Sequence, residues 1–425
     1  MLLRESIRLD PGPGLLLTGG ASDIPLSLDV VKIALAQARA RAVRTHMTNQ
    51  EPTLAATGAV AEVADEVSAV DFEDPAASAA WAARRVAAGE RFDVVLGVRE
   101  MAQLATAEIA EALGLPGNPP AAVHRVRTKD ACRAALAAAG FTQPAVRLCR
   151  NAGDAEEFLR DTAGPWVVKP RDGMGSEGVS LVDGPADLPR ALAVLPDGKP
   201  FLIEEFVSGP EFSVEGVFLG GSPTVLAVTA KEKAEPPFFV EVGHVLPAEI
   251  PTEARADIER QVTAALTALD LRYGLFHVEL WQTPDGVVLG EVHVRNGGGW
   301  IHRLLAHAIP GLEMFGLVYD DALGRPVDKP SAPVRGAATR FLTAGPGRLI
   351  AVEGWDRVLA HPSVLHAELT IAPGAVIRPL QSGGDRLGAV VVGADTPAEA
   401  RTLARELADS VRFVVEAEGE SQCAE

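Results

Sequence analysis

The sequence is poor in cysteine and in aromatic residues. Three of its 425 residues are cysteines, and aromatic side chains make up 5% of the chain. Cys132, Cys149 and Cys423 have neither the spacing of a metal site nor that of a disulfide framework. We therefore expect free thiols in a reducing compartment.

Long apolar runs and positive charge are also missing. No apolar run is long enough to span a membrane, and residues 1–6 lack the basic segment and apolar core of a signal peptide. The net charge of −18 argues against general nucleic-acid binding and disfavours docking on an anionic membrane. We expect a cytoplasmic protein that binds neither nucleic acid nor membranes. Any anionic substrate must then meet a local cluster of lysine and arginine.

A chain of 425 residues is too long for one hydrophobic core and predicts two to four packed units. Strands and helices alternate at the start, as in an open α/β domain with a parallel sheet. Glycines flank the first strand without the spacing of a dinucleotide fingerprint. The predicted units are an N-terminal α/β domain (1–118), a linker helix and strand (119–164), a small β-rich unit (165–207), a central unit of strands and a helix (208–330), and a C-terminal α+β appendage with a short acidic tail (331–425).

A basic stripe follows the first domain. The pattern predicts one helix over residues 121–139, in which Arg125, Lys129 and Arg133 are spaced four apart and share a face. Such a stripe is typical of a solvated surface. The alternative is that one of the three side chains reaches into a ligand cleft.

A glycine-rich loop separates two short apolar strands at residues 166–168 and 179–182. Three glycines between residues 173 and 178 let the backbone lie close to a ligand. Lys169 ends the first strand, where burial is costly unless an anion pairs with it. A phosphate held by the loop backbone is a suitable partner. The alternative is a surface hairpin with an exposed lysine.

Carboxylates interrupt two predicted sheets. Glu204 and Glu205 lie in the apolar strand 201–207, so they are either exposed on an edge strand or buried against donors such as an adenine amino group or ribose hydroxyls. Glu279 and Glu291 lie in the two strands of a predicted hairpin, at neighbouring positions on one face. Facing carboxylates repel unless a cation lies between them, and Mg²⁺ prefers such oxygen ligands together with nucleotide phosphates. The alternative is two exposed glutamates.

In combination, these motifs resemble those of the ATP-grasp superfamily, and within it the L-amino acid ligases, which join free amino acids into dipeptides. The resemblance rests on Lys169 with its glycine loop, on residues 203–211, on Glu279, and on the segment 291–295 (Glu-Val-His-Val-Arg). It covers nearly the whole chain. It implies a multidomain α/β and α+β protein with an ATP-grasp fold: an N-terminal open α/β domain, a small β-rich lid, a central antiparallel-sheet domain and a C-terminal α+β appendage.

The resemblance also implies which residues bind the cofactors, ATP and Mg²⁺, with Mn²⁺ as an alternative ion. Two lysines contact the phosphates, the glycine loop closes over them, and the strand after it holds adenine and ribose. The implied metal ligands are Glu279 and Glu291. The implied nucleotide-binding residues are Lys129, Lys169, Gly173, Gly175, Ser176, Gly178, Glu204, Glu205, Phe206, Val207 and Glu211.

Arg295 and Lys169 are the implied catalytic residues, and Arg295 neutralises charge on the phosphoryl group and then on the tetrahedral intermediate. Trp300 either caps the amino-acid pocket or belongs to the core. The base that takes the proton of the amine is either His244 or Glu241. The implied amino-acid pocket comprises Lys231, Glu241, His244, Arg295, Gly298 and Trp300.

The implied reaction converts a carboxylate to an acyl phosphate, which an amine attacks to form an amide while ADP and phosphate leave. The expected partners are a small-molecule carboxylate, a small-molecule amine (L-amino acids in both roles) and a second copy of the chain in a homodimer. Three alternatives remain: a ligase for a non-amino-acid or carrier-bound carboxylate, a biotin-carboxylase-like enzyme, and a non-catalytic nucleotide-binding regulator. His293 leaves the last one open. It stands where the family commonly has asparagine, and imidazole is a softer partner for Mg²⁺ than an amide oxygen.

Overall fold

The computed structural model describes residues 12–196 and 198–416. Cys423 and the predicted acidic tail lie outside the described residues. Within these ranges Cys132 and Cys149 are buried free thiols, as predicted. None of the described helices combines the length and hydrophobicity needed to cross a bilayer.

The N-terminal unit is an open α/β domain, in agreement with the alternation of strands and helices in the sequence. Its elements are β1 (Gly14–Thr18), α1 (Pro25–Ala40), β2 (Arg44–Asn49), α2 (Glu51–Ala56), α3 (Gly58–Ala61), β3 (Glu66–Ala69), α4 (Pro75–Ala87), β4 (Val94–Gly97) and α5 (Gln103–Leu113). The four strands form a parallel sheet in the order β3-β2-β1-β4. β1 is buried at every position because it is a central strand of a parallel sheet, which accounts for its apolar sequence. α5 ends at Gly114, whose φ of +66° favours glycine.

The next segment contains two helices, α6 (Pro120–Arg127) and α7 (Lys129–Ala138). The single helix predicted over 121–139 is therefore wrong. Thr128 has an extended backbone and donates its hydroxyl to the carbonyl of His124. The break separates the three basic residues of the predicted stripe: Arg125 donates to the carbonyl of Leu269, whereas Lys129 and Arg133 reach the cavity and its wall.

The lid is a four-stranded antiparallel sheet with two helices. Its elements are β5 (Val146–Cys149), α8 (Ala152–Asp161), β6 (Trp166–Pro170), β7 (Ser180–Val182), α9 (Leu188–Ala193) and β8 (Phe201–Glu205), and the strand order is β5-β8-β6-β7. β5 pairs with β8 along its whole length, although the sequence placed it in a linker outside the lid. Ile203 and Val168 pack in the small core of this unit.

The central unit contributes five strands and three helices: β9 (Glu211–Leu219), β10 (Ser222–Lys233), β11 (Glu241–Leu246), α10 (Thr252–Ala268), β12 (Leu275–Thr283), β13 (Gly286–His293), α11 (Ile301–Ala308) and α12 (Met314–Ala322). The C-terminal unit adds β14 (Gly336–Leu342), β15 (Gly347–Glu353), α13 (Trp355–Leu359), β16 (Val364–Leu369), β17 (Val376–Ile377), β18 (Gly388–Ala394), α14 (Pro397–Asp409) and β19 (Arg412–Glu416).

These two units share one antiparallel sheet of eight strands, ordered β13-β12-β9-β10-β11-β14-β18-β16. The predicted boundary at residue 331 thus falls within a continuous sheet, because β11 pairs directly with β14. The remaining strands form a small sheet in the order β17-β15-β19. One consequence is that the loop before β18 lies beside the central strands and reaches the site described next.

Candidate active site

A cavity of about 250 Å³ lies between the lid sheet and the eight-stranded sheet. All the residues that the sequence assigned to nucleotide, metal and substrate binding line this cavity, except Gly178 and Trp300. The cavity also contacts residues that the sequence did not assign, among them Lys233, His277 and Arg386. The tertiary structure therefore collects the predicted motifs, which are spread over residues 129–298, around one space.

The glycine loop of the lid forms one edge of the cavity. Gly175 and Gly178 have φ angles of +64° and +69°, a left-handed conformation that glycine adopts without strain. Ser176 shares this conformation and donates its hydroxyl to the carbonyl of Phe239 at 3.0 Å. A Cβ atom at Gly178 would lie 3.0 Å from the ring of Pro170. Gly178 thus packs against Pro170 and does not line the cavity, whereas Gly173 and Gly175 do.

Lys169 is buried in an ion pair that the sequence did not predict. Its ammonium donates to Glu204 at 2.5 Å, and Arg133 donates to the same carboxylate through Nε at 2.9 Å and Nη2 at 3.1 Å. The three side chains are 2–7% exposed, so the interpretation of Lys169 as an exposed hairpin lysine is wrong. Burial raises the pKa of Glu204, but Lys169 and Arg133 lower it below its usual value. Glu204 is therefore a fixed anion behind the lid, not an exposed edge residue.

The segment after β8 connects the lid to the central sheet. Glu205 accepts a hydrogen bond from the backbone of Ala145 at 3.0 Å, and the ring of Phe206 stacks on Phe239. Glu211, at the start of β9, accepts hydrogen bonds from Lys233 at 2.6 Å and lies 3.0 Å from Lys231. The wall predicted to hold adenine and ribose is thus ordered by its own contacts.

Glu279 and Glu291 face the cavity from paired strands. His277 lies opposite His293 in the register, and a bulge after Val278 shifts the following residues, so that both glutamates line the cavity. Glu291 lies 3.4 Å from the ammonium of Lys129. Burial and the charge of Glu291 raise the pKa of Glu279, but Lys231 and His277 lower it to about 2. Both carboxylates are therefore ionised at neutral pH and lie on one face, as the hairpin pattern predicted.

Lys231 is the centre of a group of three carboxylates. Its ammonium lies 2.5 Å from Glu241, 2.9 Å from Glu279 and 3.0 Å from Glu211. Burial alone lowers the pKa of Lys231, yet the three carboxylates raise it well above its usual value. Oxygens of these carboxylates lie within 4.8 Å of one another, which is also a metal-binding geometry. Lys231 offsets part of their charge, and Glu279 belongs both to this group and to the pair with Glu291.

Residues that the sequence did not assign to the site hold these groups in place. His277 contacts both carboxylate oxygens of Glu215 at 3.0 Å and, through Nε2, Glu279 at 3.2 Å. Ser213 also donates to Glu215 at 2.7 Å. A signal was present, because Glu211, Ser213 and Glu215 alternate along one face of an otherwise apolar strand.

Glu100 is a second missed residue, and it explains the unusual histidine. It accepts hydrogen bonds from Arg295 at 2.9 Å and contacts His293 Nδ1 at 2.8 Å, while His293 Nε2 lies 3.4 Å from Glu291. Burial raises the pKa of Glu100, but His293 and Arg295 lower it below its usual value. The imidazole of His293 therefore bridges two carboxylates. No local pattern in the sequence marks Glu100, which follows a strand of another domain.

His244 and Trp300 were both predicted to line the amino-acid pocket, but only His244 lines the cavity. His244 is buried, and neither ring nitrogen has a hydrogen-bond partner among the described residues, although Glu241 lies 3.5 Å from Nε2. Trp300 is 1% exposed and lies outside the cavity, where its Nε1 donates to Glu368 and its ring stacks on His366. Of the two readings of Trp300, core residue is therefore correct and pocket cap is wrong.

Comparison with known proteins identifies the class. Residues 162–303 match the model of the ATP-grasp domain, and residues 340–416 match that of the L-amino acid ligase C-terminal domain 2. The chain contains an ATP-grasp domain, and the predicted ATP-grasp fold is confirmed. It is a ligase that forms carbon–nitrogen bonds, of the carboxylate–amine ligase type.

Several known proteins are similar to this chain over most of its length. The uncharacterized protein y4rH of Sinorhizobium fredii is 29% identical over 337 residues, which are 77% of this chain and 70% of that protein. Carnosine synthase 1 of Gallus gallus is 29% identical over 70% of this chain, which corresponds to 34% of the length of that enzyme. The crystal structure of the L-amino acid ligase from Bacillus licheniformis has a TM-score of 0.77 at 24% identity, with 96% of this chain and 100% of that chain covered. At this identity, the structural likeness establishes the fold.

Proposed function

We propose that the protein joins two L-amino acids into a dipeptide, with ATP as the energy source and Mg²⁺ as the metal. The observation that carries the proposal is the cavity itself, in which the ionised pair Glu279 and Glu291 faces Lys129, Lys169 and the glycine loop of the lid. The names of similar proteins, an L-amino acid ligase and a carnosine synthase, support an amino-acid substrate. The proposed intermediate is an acyl phosphate.

The lysines and the lid bind the nucleotide in this proposal. Lys129 and Lys169 pair with phosphate oxygens, and the loop of residues 173–178 covers them with backbone N–H groups. Arg133 and Lys169 hold the carboxylate of Glu204 beside the segment that binds adenine. Glu211 accepts from the ribose. Phosphoryl transfer depends on positioning and charge neutralisation more than on a protein nucleophile, and these side chains provide both.

The residues present fit a divalent ion. Glu279 and Glu291 offer hard carboxylate oxygens, both pKa values are lowered, and both side chains remain 23–28% exposed to the cavity. A bound Mg²⁺ would neutralise negative charge on the phosphates. Lys129 and Lys231, which pair with these glutamates here, are the adjacent cations.

Arg295 and His244 act on the reacting groups. Glu100 and the carbonyl of Asn296 orient the guanidinium of Arg295 through Nε and Nη1, so that Nη2 stabilises charge on the transferred phosphoryl group and on the oxyanion that follows. Between the two candidate bases, Glu241 is the weaker one, because Lys231 and His244 lower its pKa well below the usual value against the effect of burial. His244, whose ring nitrogens make no hydrogen bond among the described residues and whose Nε2 lies 3.5 Å from Glu241, takes the proton of the attacking amine. The closed lid excludes water from the acyl phosphate.

The decisive experiment is a screen of all pairs of the common L-amino acids with ATP and Mg²⁺, with phosphate release and product mass read together. A pair that yields ADP, phosphate and one dipeptide in equal amounts supports the proposal. Phosphate release without an amide in any pair rejects it. The same preparation, examined by light scattering, tests the predicted homodimer.

A further inference from the structure

A loop of the C-terminal unit lies beside the central strands and lines one side of the cavity. Residues 382–386 precede β18, and the backbone N–H of Gly383 donates to the carbonyl of Gly175 in the lid at 2.8 Å. Asp385 stabilises the loop by accepting from the backbone N–H of Ser382 at 2.8 Å. Gly383 and Arg386 both line the cavity. This loop therefore contacts the closed lid and carries a cation into the site.

The cation of this loop differs from the others around the cavity. Six lysine and arginine side chains line it, together with seven glutamates. Five of these cations have a carboxylate oxygen within 4.0 Å, whereas Arg386 has none in the described part of the chain. The five are Lys129 with Glu291, Lys169 with Glu204, Lys231 with Glu241, Lys233 with Glu211, and Arg295 with Glu100.

Arg386 is nevertheless held in a defined orientation. Its Nε donates to the carbonyl of Gly383 at 2.9 Å, and Nη1 lies 3.4 Å from the backbone oxygen of Glu241. The guanidinium lies 3.9 Å from the centre of the Phe341 ring, a cation–π geometry. Burial lowers the pKa of Arg386, and Glu241 and Glu368 raise it. A partly buried, oriented arginine without a carboxylate partner among the described residues is a site for an anion from outside the chain.

We infer that Arg386 binds the unreacting carboxylate of the amino acid that supplies the amine. This inference rests on the proposed function. The carboxylate that reacts must lie beside the phosphates, near Arg295 and the two metal glutamates. Arg386 contacts a different part of the wall, beside Glu241 and Phe341 and adjacent to the proposed base His244. Seven glutamates around the cavity repel a second carboxylate, so an uncommitted cation is needed to accept it.

The test compares an amine donor with its carboxamide. The amine donor is the L-amino acid used most efficiently in the pair screen, and the second probe is the amide of the same amino acid. The parent enzyme should prefer the free acid by about 10- to 100-fold in kcat/KM, the range for one charged hydrogen-bonded contact. Arg386→Gln should lower kcat/KM for the free acid by a similar factor, leave the amide within about threefold, and leave the KM for ATP within about twofold.

Matched variants separate binding from structure. Arg386→Lys keeps the charge and should restore part of the preference for the free acid. Arg378→Gln removes an arginine that precedes the loop, pairs with Asp385 and is 72% exposed. This variant should behave as the parent. If Arg386→Gln does not fold, the lysine variant and the acid-to-amide ratio of the parent still decide the question.

Three outcomes overturn the inference. Equal losses for acid and amide in Arg386→Gln indicate a structural role, and a raised KM for ATP with the preference retained indicates that Arg386 binds phosphate. A parent enzyme that uses acid and amide equally well also contradicts it. Failure of the proposed function looks different, because no amino-acid pair would then give an amide at all.

Discussion

Arg133 and Glu204 form a bidentate ion pair that joins α7 to the lid sheet. The residues are 71 positions apart, and both are buried together with Lys169. The pair fixes the strand that leads into the nucleotide-binding segment. It therefore connects the stability of the lid to the binding of ATP.

Replacement of Arg133 by glutamine should affect both properties. Removing one partner of a buried ion pair leaves Glu204 with a single cation, which costs about 3–5 kcal/mol of unfolding free energy. The KM for ATP should rise by about tenfold because the adenine wall loses its support. Urea unfolding and initial-rate kinetics measure the two effects. The control is Arg160→Gln, at an exposed position of α8, and an unchanged Arg133→Gln protein would contradict this account.

Removal of a metal carboxylate should abolish turnover without unfolding the protein. Glu291→Ala eliminates one oxygen ligand of the proposed Mg²⁺ site, so formation of ADP should fall by about a thousandfold or more. The thermal midpoint should change little, because Glu291 is partly exposed to the cavity. Glu253→Ala, at an exposed position of α10, is the control. Normal turnover in Glu291→Ala would show that the metal ligands are assigned incorrectly.

A change in the lid should separate ATP use from amide formation. Gly178→Ala introduces a side chain at a φ of +69° and 3.0 Å from Pro170, which distorts the glycine loop. A lid that closes poorly admits water to the acyl phosphate, so the ratio of phosphate to amide should rise above one.

The matched control for the lid is Gly220→Ala in the turn between β9 and β10. Gly220 also has a positive φ, +56°, but a Cβ there meets no atom within 4 Å. Both variants should lose about 1 kcal/mol of stability from backbone strain. If both also show the same phosphate-to-amide ratio, the loop does not act as the lid.

A carboxylate between two domains should make stability depend on pH. Asp29 of α1 accepts hydrogen bonds from Arg303 Nε at 2.8 Å and lies 2.7 Å from His302 Nε2, both on α11. Burial raises the pKa of Asp29, but His302 and Arg303 lower it well below its usual value. A lowered pKa stabilises the fold above the unfolded value of about 3.9, and the contribution disappears as the pH falls through the folded value.

Asp29→Asn should therefore reduce the unfolding free energy at pH 7 by about 1.5–3 kcal/mol, the range for a hydrogen bond to a charged group. The difference in unfolding free energy between the variant and the parent should be smaller at pH 3.5 than at pH 7. Asp23→Asn, at an exposed position before the same helix, should show neither effect. A difference that stays constant or widens between pH 7 and pH 3.5 would contradict the ion-pair explanation.

Much of the fold was predictable because it follows from local pattern. Alternating strands and helices predicted the N-terminal domain, and the apolar strands on either side of the glycine loop predicted the lid hairpin. The sequence also predicted the hairpin that carries Glu279 and Glu291 and the shared face of these two residues. It did not predict the bulge after Val278. The helix break at Thr128 was missed, because the sequence around it contains no proline or glycine.

The sequence by itself therefore determined which residue types line the site: a lysine before a glycine loop, a pair of glutamates on one sheet face, and an arginine after them. Only the tertiary structure decided how these charges are paired. Arg295 donates to Glu100, which lies 195 residues earlier in the chain. Arg386 lines the cavity because the C-terminal strands extend the central sheet. Strand periodicity specifies the face on which a side chain lies. The charge opposite it depends on register and on packing between domains, which no local pattern records.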